Sequence, residues 1–493
     1  MKFRTANSWR VISAGIAATA AISAITLPFC AQAAEHDGHP IVRAAAPAGA
    51  IEHVMVINLE NEGFAATFGQ FSPAVYLNST LLKQGQLVPN YFGTSHVSLG
   101  NYVSQVSGQG TNPALNNDCL DLSSLAKPPL VGGFTDVLPG TDAADHAAYP
   151  GQVVGSGCVF PAPGKNRRGA QTIGDQLDRK FSKSHEQRDE RAREEGRRLN
   201  WRSYAEDMGD DVLRDYGTPD ATGGATCAHP PINGVDHSNS AAANDQYATR
   251  HNPFVYFHSV IDNVQRCNDH VVPLGKLTLG DETTPDRFQG HLYEDLQEQE
   301  TTPKFMFVTP NLCNDGHDAT CVAPNVEGTK DAAGKNIGGL VSADLWLKHW
   351  MPMIFSSPAY QSGKMLVVLT FDESGFNDSR ACADADQSKC NSPTGPNLSN
   401  PGFSPILGMF KAQVPPTSTY QYAGGGQVGA VLFNRDLIEP GSINTEGVYN
   451  HFSALRSYED LLGLTDGGDD GHGHLGYAAT SGLLPFGKDV FNH

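Results

Sequence analysis

Apolar residues fall in short runs along the chain. Residues 53–59 (HVMVINL), 304–308 (KFMFV), 364–371 (KMLVVLTF) and 404–410 (SPILGMF) read as buried strands, because each run is short and apolar. Helical spacing predicts helices over 79–84, 172–180, 343–355 and 451–464. Strands alternating with helices imply an α/β sandwich with a mainly parallel central sheet. In such sheets ligands gather beyond the carboxyl ends of the strands, so the residues just after each run carry the functional question. Segments 110–170, 209–245 and 376–402 are rich in Gly, Pro, Asn and Asp and read as loops. No internal repeat is visible.

The N-terminus follows a different pattern. Lys2, Arg4 and Arg10 precede an apolar stretch at 11–29, and Ala31-Gln32-Ala33 fits a cleavage signal. Residues 1–34 are therefore expected to be a signal peptide, and the Ala/Pro-rich 35–50 a disordered lead-in. The remainder, 51–490, is expected to form one domain interrupted by a charged helical insertion at about 178–200. No later stretch is long and apolar enough to span a bilayer, so no stable membrane insertion is expected. The protein is expected to be secreted or periplasmic.

Composition narrows the function. The chain has 493 residues and a formal net charge of −19, which becomes −22 without the basic leader. This balance argues against nucleic acid as a partner, since phosphate backbones are held by Lys and Arg fields. A small anionic substrate is still allowed, because a bound cation reverses the local field. Nine cysteines become eight when Cys30 leaves with the leader, and an even number in an exported chain reads as disulfides. Sequence proximity suggests Cys119 with Cys158, Cys227 with Cys267, Cys313 with Cys321, and Cys382 with Cys390, although the count admits many connectivities. A cysteine zinc site is disfavoured because no C-x-x-C pair exists.

The polar residues fall where the strand-end rule directs. Glu60 and Asn61 follow the first run, and Asp372 and Glu373 follow the third. Oxygen donors gathered at one sheet edge suit a hard divalent cation, whereas either pair alone could be an ordinary helix cap. Ser98 stands at the start of a helical segment, with Asn101 on the same helical face. Beside a cation a serine hydroxyl becomes a nucleophile, and an amide can donate to the attacked group. Both residue types also serve as plain caps. After the second run come Asp315, His317 and Asp318; His251 and His451 are further candidates, each with a structural alternative as a packed or capping histidine.

Taken in order, seven segments resemble the bacterial and fungal phosphoesterase family that includes acid phosphatases and phospholipases C, within the alkaline phosphatase superfamily. They are 53–69 (HVMVINLENEGFAATFG), 96–102 (HVSLGNY), 203–208 (SYAEDM), 250–257 (RHNPFVYF), 309–318 (TPNLCNDGHD), 369–373 (LTFDE) and 449–453 (YNHFS). The resemblance implies an alkaline-phosphatase-like three-layer α/β/α sandwich with long disulfide-pinned loops. It implies Ser98 as a nucleophile forming a phosphoserine, Asn101 as a donor to a phosphoryl oxygen, and His317 as leaving-group acid or charge stabiliser. It implies a divalent metal held by Glu60, Asn61, Ser98, Asp372 and Glu373. One ion is expected and two remain open, with Asp315, Asp318, His451 and His251 as second-site or phosphate-facing residues. Val97 and Gly100 stand where the family commonly has proline.

The expectation is thus a secreted metal-dependent phosphomonoesterase of acid-phosphatase type acting on a small-molecule or lipid phosphoester. A phospholipase C-type diesterase is the alternative, and a non-catalytic exported binding protein is a third reading.

Overall fold

The computed structural model describes residues 42–120, 132–139, 151–164, 169–182, 199–278, 288–317, 321–322, 337–375 and 424–493. Seven strands form the main sheet: β1 His53–Leu59, β2 Gln86–Val88, β3 Trp201–Ala205, β4 Val271–Pro273, β5 Phe305–Thr309, β6 Met365–Phe371 and β7 Ala430–Phe433. Their order is β4-β3-β5-β1-β6-β7-β2. From β4 to β6 all neighbours are parallel; β7 runs antiparallel to both β6 and β2. The mainly parallel α/β sheet is as expected.

Strands β1, β5 and β6 are buried along their whole length, which is why they read as unbroken apolar runs. The register fixes which side chains share a face. Val56 pairs with both Phe307 and Val368, so these three point one way, and Phe371 and Phe433 point the other. On the first face lie α1 Ser98–Ser107, whose Tyr102 meets Phe307, α2 Ile173–Ser182, whose Gly174 abuts Trp201, and α4 His451–Leu461, whose Tyr458 meets Phe305. On the second lies α3 Gly339–Ser356, whose Phe355 packs on Phe433. The sheet is therefore covered on both sides, as a parallel sheet requires.

Several local expectations shift. The helix read over 79–84 is instead a turn of helix at Val75–Ser79 followed by a 3-10 turn at Leu81–Lys83. Strands β2, β3, β4 and β7 carried no strand reading, because β2 and β4 are three residues long and β3 (WRSYA) mixes polar with apolar side chains. Helix α4 starts on a reciprocal capping pair, Asn450 and Ser453, and ends at Leu461 before Gly463. Cys119–Cys158, Cys227–Cys267 and Cys313–Cys321 are disulfide-bonded. The leader, the lead-in up to residue 41, most of the charged insertion, the run at 404–410, Asp318, Cys382 and Cys390 lie outside the described residues. No helix among the described residues is long and apolar enough to cross a membrane.

Candidate active site

Because β3, β5, β1 and β6 are parallel neighbours, their carboxyl ends share one edge of the sheet. Glu60 and Asn61 leave β1 there, Asp372 and Glu373 leave β6, and Asn311 to Asp315 leave β5. Helix α1 brings Ser98 to the same edge at its first residue, without a side-chain cap. The left-handed Gly108 ends it, and a Cβ there would lie 2.2 Å from the Leu475 carbonyl, so the turn requires glycine.

Contacts tie the group together. Ser98 Oγ donates to Glu60 Oε2 at 2.8 Å. Asn61 Nδ2 donates to the same oxygen at 2.8 Å and lies 3.4 Å from Ser98 Oγ. The Asn61 backbone N–H donates to Asp372 Oδ1 at 2.9 Å, which the residue reaches with a left-handed φ of 51°. Glu373 Oε2 is bound to His96 Nδ1. Glu60, Ser98, Asp372 and Glu373 are all buried.

Electrostatics make this arrangement costly as it stands. Burial pushes the carboxyls of Asp372 and Glu373 well above their ordinary range, and Glu373 adds to the effect on Asp372. Asp372 Oδ2 and Glu373 Oε1 find no hydrogen-bond donor among the described residues. The neighbouring histidines do not supply positive charge: burial pushes His96 down to about 4 and His251 well below its ordinary value. Crowded, buried and under-satisfied carboxylates of this kind fit a hard divalent cation through Glu60, Asn61, Ser98, Asp372 and Glu373.

A second group borders the first. His251 Nε2 lies 3.2 Å from Glu60 Oε1, and its Nδ1 lies 3.8 Å from Asp315 Oδ2. The ring stacks on Tyr102 with centroids 5.1 Å apart. Asp315 is buried, its carbonyl accepts from the Glu60 N–H, and its Oδ1 accepts from the His317 N–H. The His317 side chain is exposed.

Two candidates are placed differently from their expected roles. Asn101 was expected to aim its amide at a phosphoryl oxygen. Instead Oδ1 accepts from the Thr94 and Ser95 N–H groups, each at 2.8 Å, and Nδ2 donates to the Ser95 carbonyl at 2.9 Å. It shapes the loop that presents Ser98. His451 stands behind the metal-type carboxylates: its Nε2 donates to the Asp372 carbonyl at 2.6 Å, and its Nδ1 lies 3.2 Å from the Tyr91 hydroxyl. Both ring nitrogens are engaged, and burial pushes the ring down to about 4.

Four participants carried no site role in the sequence reading. His96 holds Glu373. Glu206, just after β3, accepts from the Asn311 N–H and from Asn314 Nδ2, and so fixes the loop bearing Asp315. Asp118 Oδ1 accepts from the Leu99 N–H at 2.8 Å, and its other oxygen lies 3.8 Å from Arg250 Nε. Of these, Glu206 directly follows its strand, but β3 carried no strand reading, so that signal was hidden.

Known proteins resemble parts of the chain. No protein-family model matches it. It is 24% identical over 295 residues to a phosphate-repressible acid phosphatase of Penicillium chrysogenum, covering 60% of this chain and 42% of that one. It is 27% identical over 140 residues to a probable acid phosphatase of Kluyveromyces lactis (28% and 24%), and 25% identical over 147 residues to an acid phosphatase of Aspergillus fumigatus (30% and 25%). The matches thus span between about a quarter and two fifths of the length of these relatives. Among solved structures, a protein in the alkaline phosphatase superfamily from Vibrio parahaemolyticus overlaps at TM-score 0.40 with 9% identity, covering 86% of this chain and 69% of that one. The lipoteichoic acid synthase LtaP of Listeria monocytogenes overlaps at 0.35 with 11% identity, covering 92% and 79%. The α/β assignment rests on the sheet itself rather than on these overlaps. The relatives matched by sequence are acid phosphatases, the kind of protein that the seven segments resemble.

Proposed function

We propose that this chain is an exported, metal-dependent phosphomonoesterase that works through a phosphoserine on Ser98. The observation that carries the reading is the Ser98 hydroxyl, seated at the first turn of α1 and bonded to Glu60 beside Asn61 and Asp372. What a divalent cation supplies there when bound is positive charge for the phosphoryl oxygens and an easier ionisation of the serine hydroxyl.

The chain's own residues do the rest. Glu60 orients the Ser98 hydroxyl by accepting its hydrogen bond. As the Ser98 Oγ–P bond forms, the Ser98 proton passes to Glu60 Oε2, the bond from phosphorus to the ester oxygen breaks, and His317 donates a proton to the departing alkoxide. Water then attacks the phosphoserine and gives a proton to His317 as the Oγ–P bond breaks; Glu60 returns its proton to Ser98 Oγ, and inorganic phosphate leaves. His251, held neutral, keeps Glu60 and Asp315 in place from the side. The leader at 1–34 directs export, and the disulfides accord with an oxidising destination.

Purified mature protein is expected to release phosphate from p-nitrophenyl phosphate and to turn over bis-p-nitrophenyl phosphate much more slowly. Preference for the diester would transfer the assignment to the phospholipase C-type reading. No hydrolysis of either ester by folded, metal-supplied protein would remove the enzymatic reading.

A further inference from the structure

The absence of a C-x-x-C pair argued against a cysteine metal site, but the fold assembles a different one. Cys227, His229 and Cys267 offer two sulfurs and an imidazole nitrogen, all within 4.8 Å of one another. In the structure the two sulfurs are bonded to each other. We infer that reduction of this bridge converts it into a binding site for a thiophilic divalent ion such as Zn2+, with Cys227, Cys267 and His229 as ligands and one position open.

Three observations support the conversion. First, the His229 ring is held by a backbone carbonyl: its Nδ1 lies 2.7 Å from the Pro230 carbonyl, which can only accept. The proton is therefore on Nδ1, and Nε2 keeps its lone pair, the arrangement that carbonyl-supported ligands use. Burial also pushes the ring's pKa down, which keeps it neutral, and it stacks on Phe134 with centroids 5.2 Å apart. Second, the cysteines are held together by more than their bridge. The Cys227 N–H donates to the Val271 carbonyl at 2.8 Å, immediately after the helix Val264–His270 that carries Cys267. Third, the scale fits, since tetrahedral zinc needs about 2.3 Å to sulfur and about 2.0 Å to nitrogen. Both cysteines are buried, while His229 is only half-buried and gives an ion a way in.

The chemistry balances with an external dithiol as reductant. Two electrons and two protons pass from the dithiol to the Cys227–Cys267 bond, giving two thiols and the oxidised cyclic reagent. Binding one divalent ion then releases both thiol protons to solvent. The ion replaces a covalent tie spanning 40 residues with a coordinate one.

Cobalt provides the test, because thiolate-to-cobalt charge-transfer absorption comes from sulfur ligands and not from the oxygen donors at the strand ends. Mature protein is reduced with a dithiol under nitrogen, desalted and titrated with Co2+. The expected result is a charge-transfer band saturating at one ion per chain. It should be absent from oxidised protein and from the Cys227→Ser/Cys267→Ser double variant, and shifted to affinity about tenfold weaker in His229→Gln. In parallel, Zn2+ should protect Cys227 and Cys267 of the reduced wild-type chain from iodoacetamide, read by peptide mass spectrometry. A band that survives in the double variant, or alkylation of both cysteines unaffected by Zn2+, overturns the proposal. So does a reduced chain whose circular dichroism shows a lost fold, because the site requires the folded segments around Val271.

Discussion

Two acidic clusters in this molecule meet the cost of burial in opposite ways. At the C-terminal loop, Asp460 pairs with Arg43, and His474 sits between Asp460 and Asp470, at 3.0 Å and 2.6 Å. Those acids are held by side chains of the chain itself, an arginine and a histidine. At the strand ends, Glu60 and Glu373 meet His251 and His96, which burial holds neutral, and Asp372 beside them meets no cation among the described residues. An acidic group with internal cations is a structural device. One whose neighbours withhold positive charge fits the proposed cation, and the nucleophile candidate stands beside that second kind. Count and burial of acids do not separate the two regions; the partners that the chain supplies to them do.

The largest expected effect tests whether chemistry belongs to the strand-end cluster. Ser98→Ala should lower phosphate release by about a thousandfold or more while bound metal, measured by atomic emission, is kept. Unchanged turnover would detach the cluster from catalysis. Asp372→Asn should lower turnover by about a hundredfold or more through lost metal. In chelator, the same variant should melt at a higher temperature than wild type, since it removes a buried acid that lacks its cation.

The C-terminal cluster should respond in reverse. His474→Ala leaves Asp460 and Asp470 without their buried partner and should cost about 3 kcal/mol in denaturant titrations, with kcat/KM per folded molecule unaltered. Lost activity at full stability would erase the distinction between the clusters.

The smallest effect is in pH. The folded-state pKa values of Asp372 and Glu373 are raised by burial. Their protonated forms therefore stabilise the metal-free fold fully below the ordinary carboxylate value of about 4, and this contribution is lost as pH rises through the folded values. The Tm of chelated protein should fall as pH rises, and the gap to metal-loaded protein should widen. A gap that narrows over that range would mean that the acids are ionised without a cation.

Much of the site was legible because its residues follow fully buried strands. Glu60, Asn61, Asp372 and Glu373 could be picked out as the first polar positions after runs that no water reaches. Strand β3 was not legible: its polar Arg202 and Ser203 blur the pattern, and so Glu206 lost the strand that would have pointed to it. The amides of Asn101 and the ring of His451 had the right type and order along the chain. Their roles depend on the direction of one hydrogen bond, and spacing carries no information about that.

The sequence by itself determined the parallel α/β plan and the gathering of carboxylates at one sheet edge, and proximity suggested the pairing of the described cysteines. These follow from local periodicity and short loop closure, which are written residue by residue. Only the tertiary structure decided that Asn101 shapes a loop, that His451 supports the Asp372 carbonyl, and that Cys227, His229 and Cys267 share one neighbourhood. Those outcomes depend on how segments far apart in the chain desolvate and orient one another. A buried group's charge and its free lone pair are set by that surrounding, not by its own place in the chain.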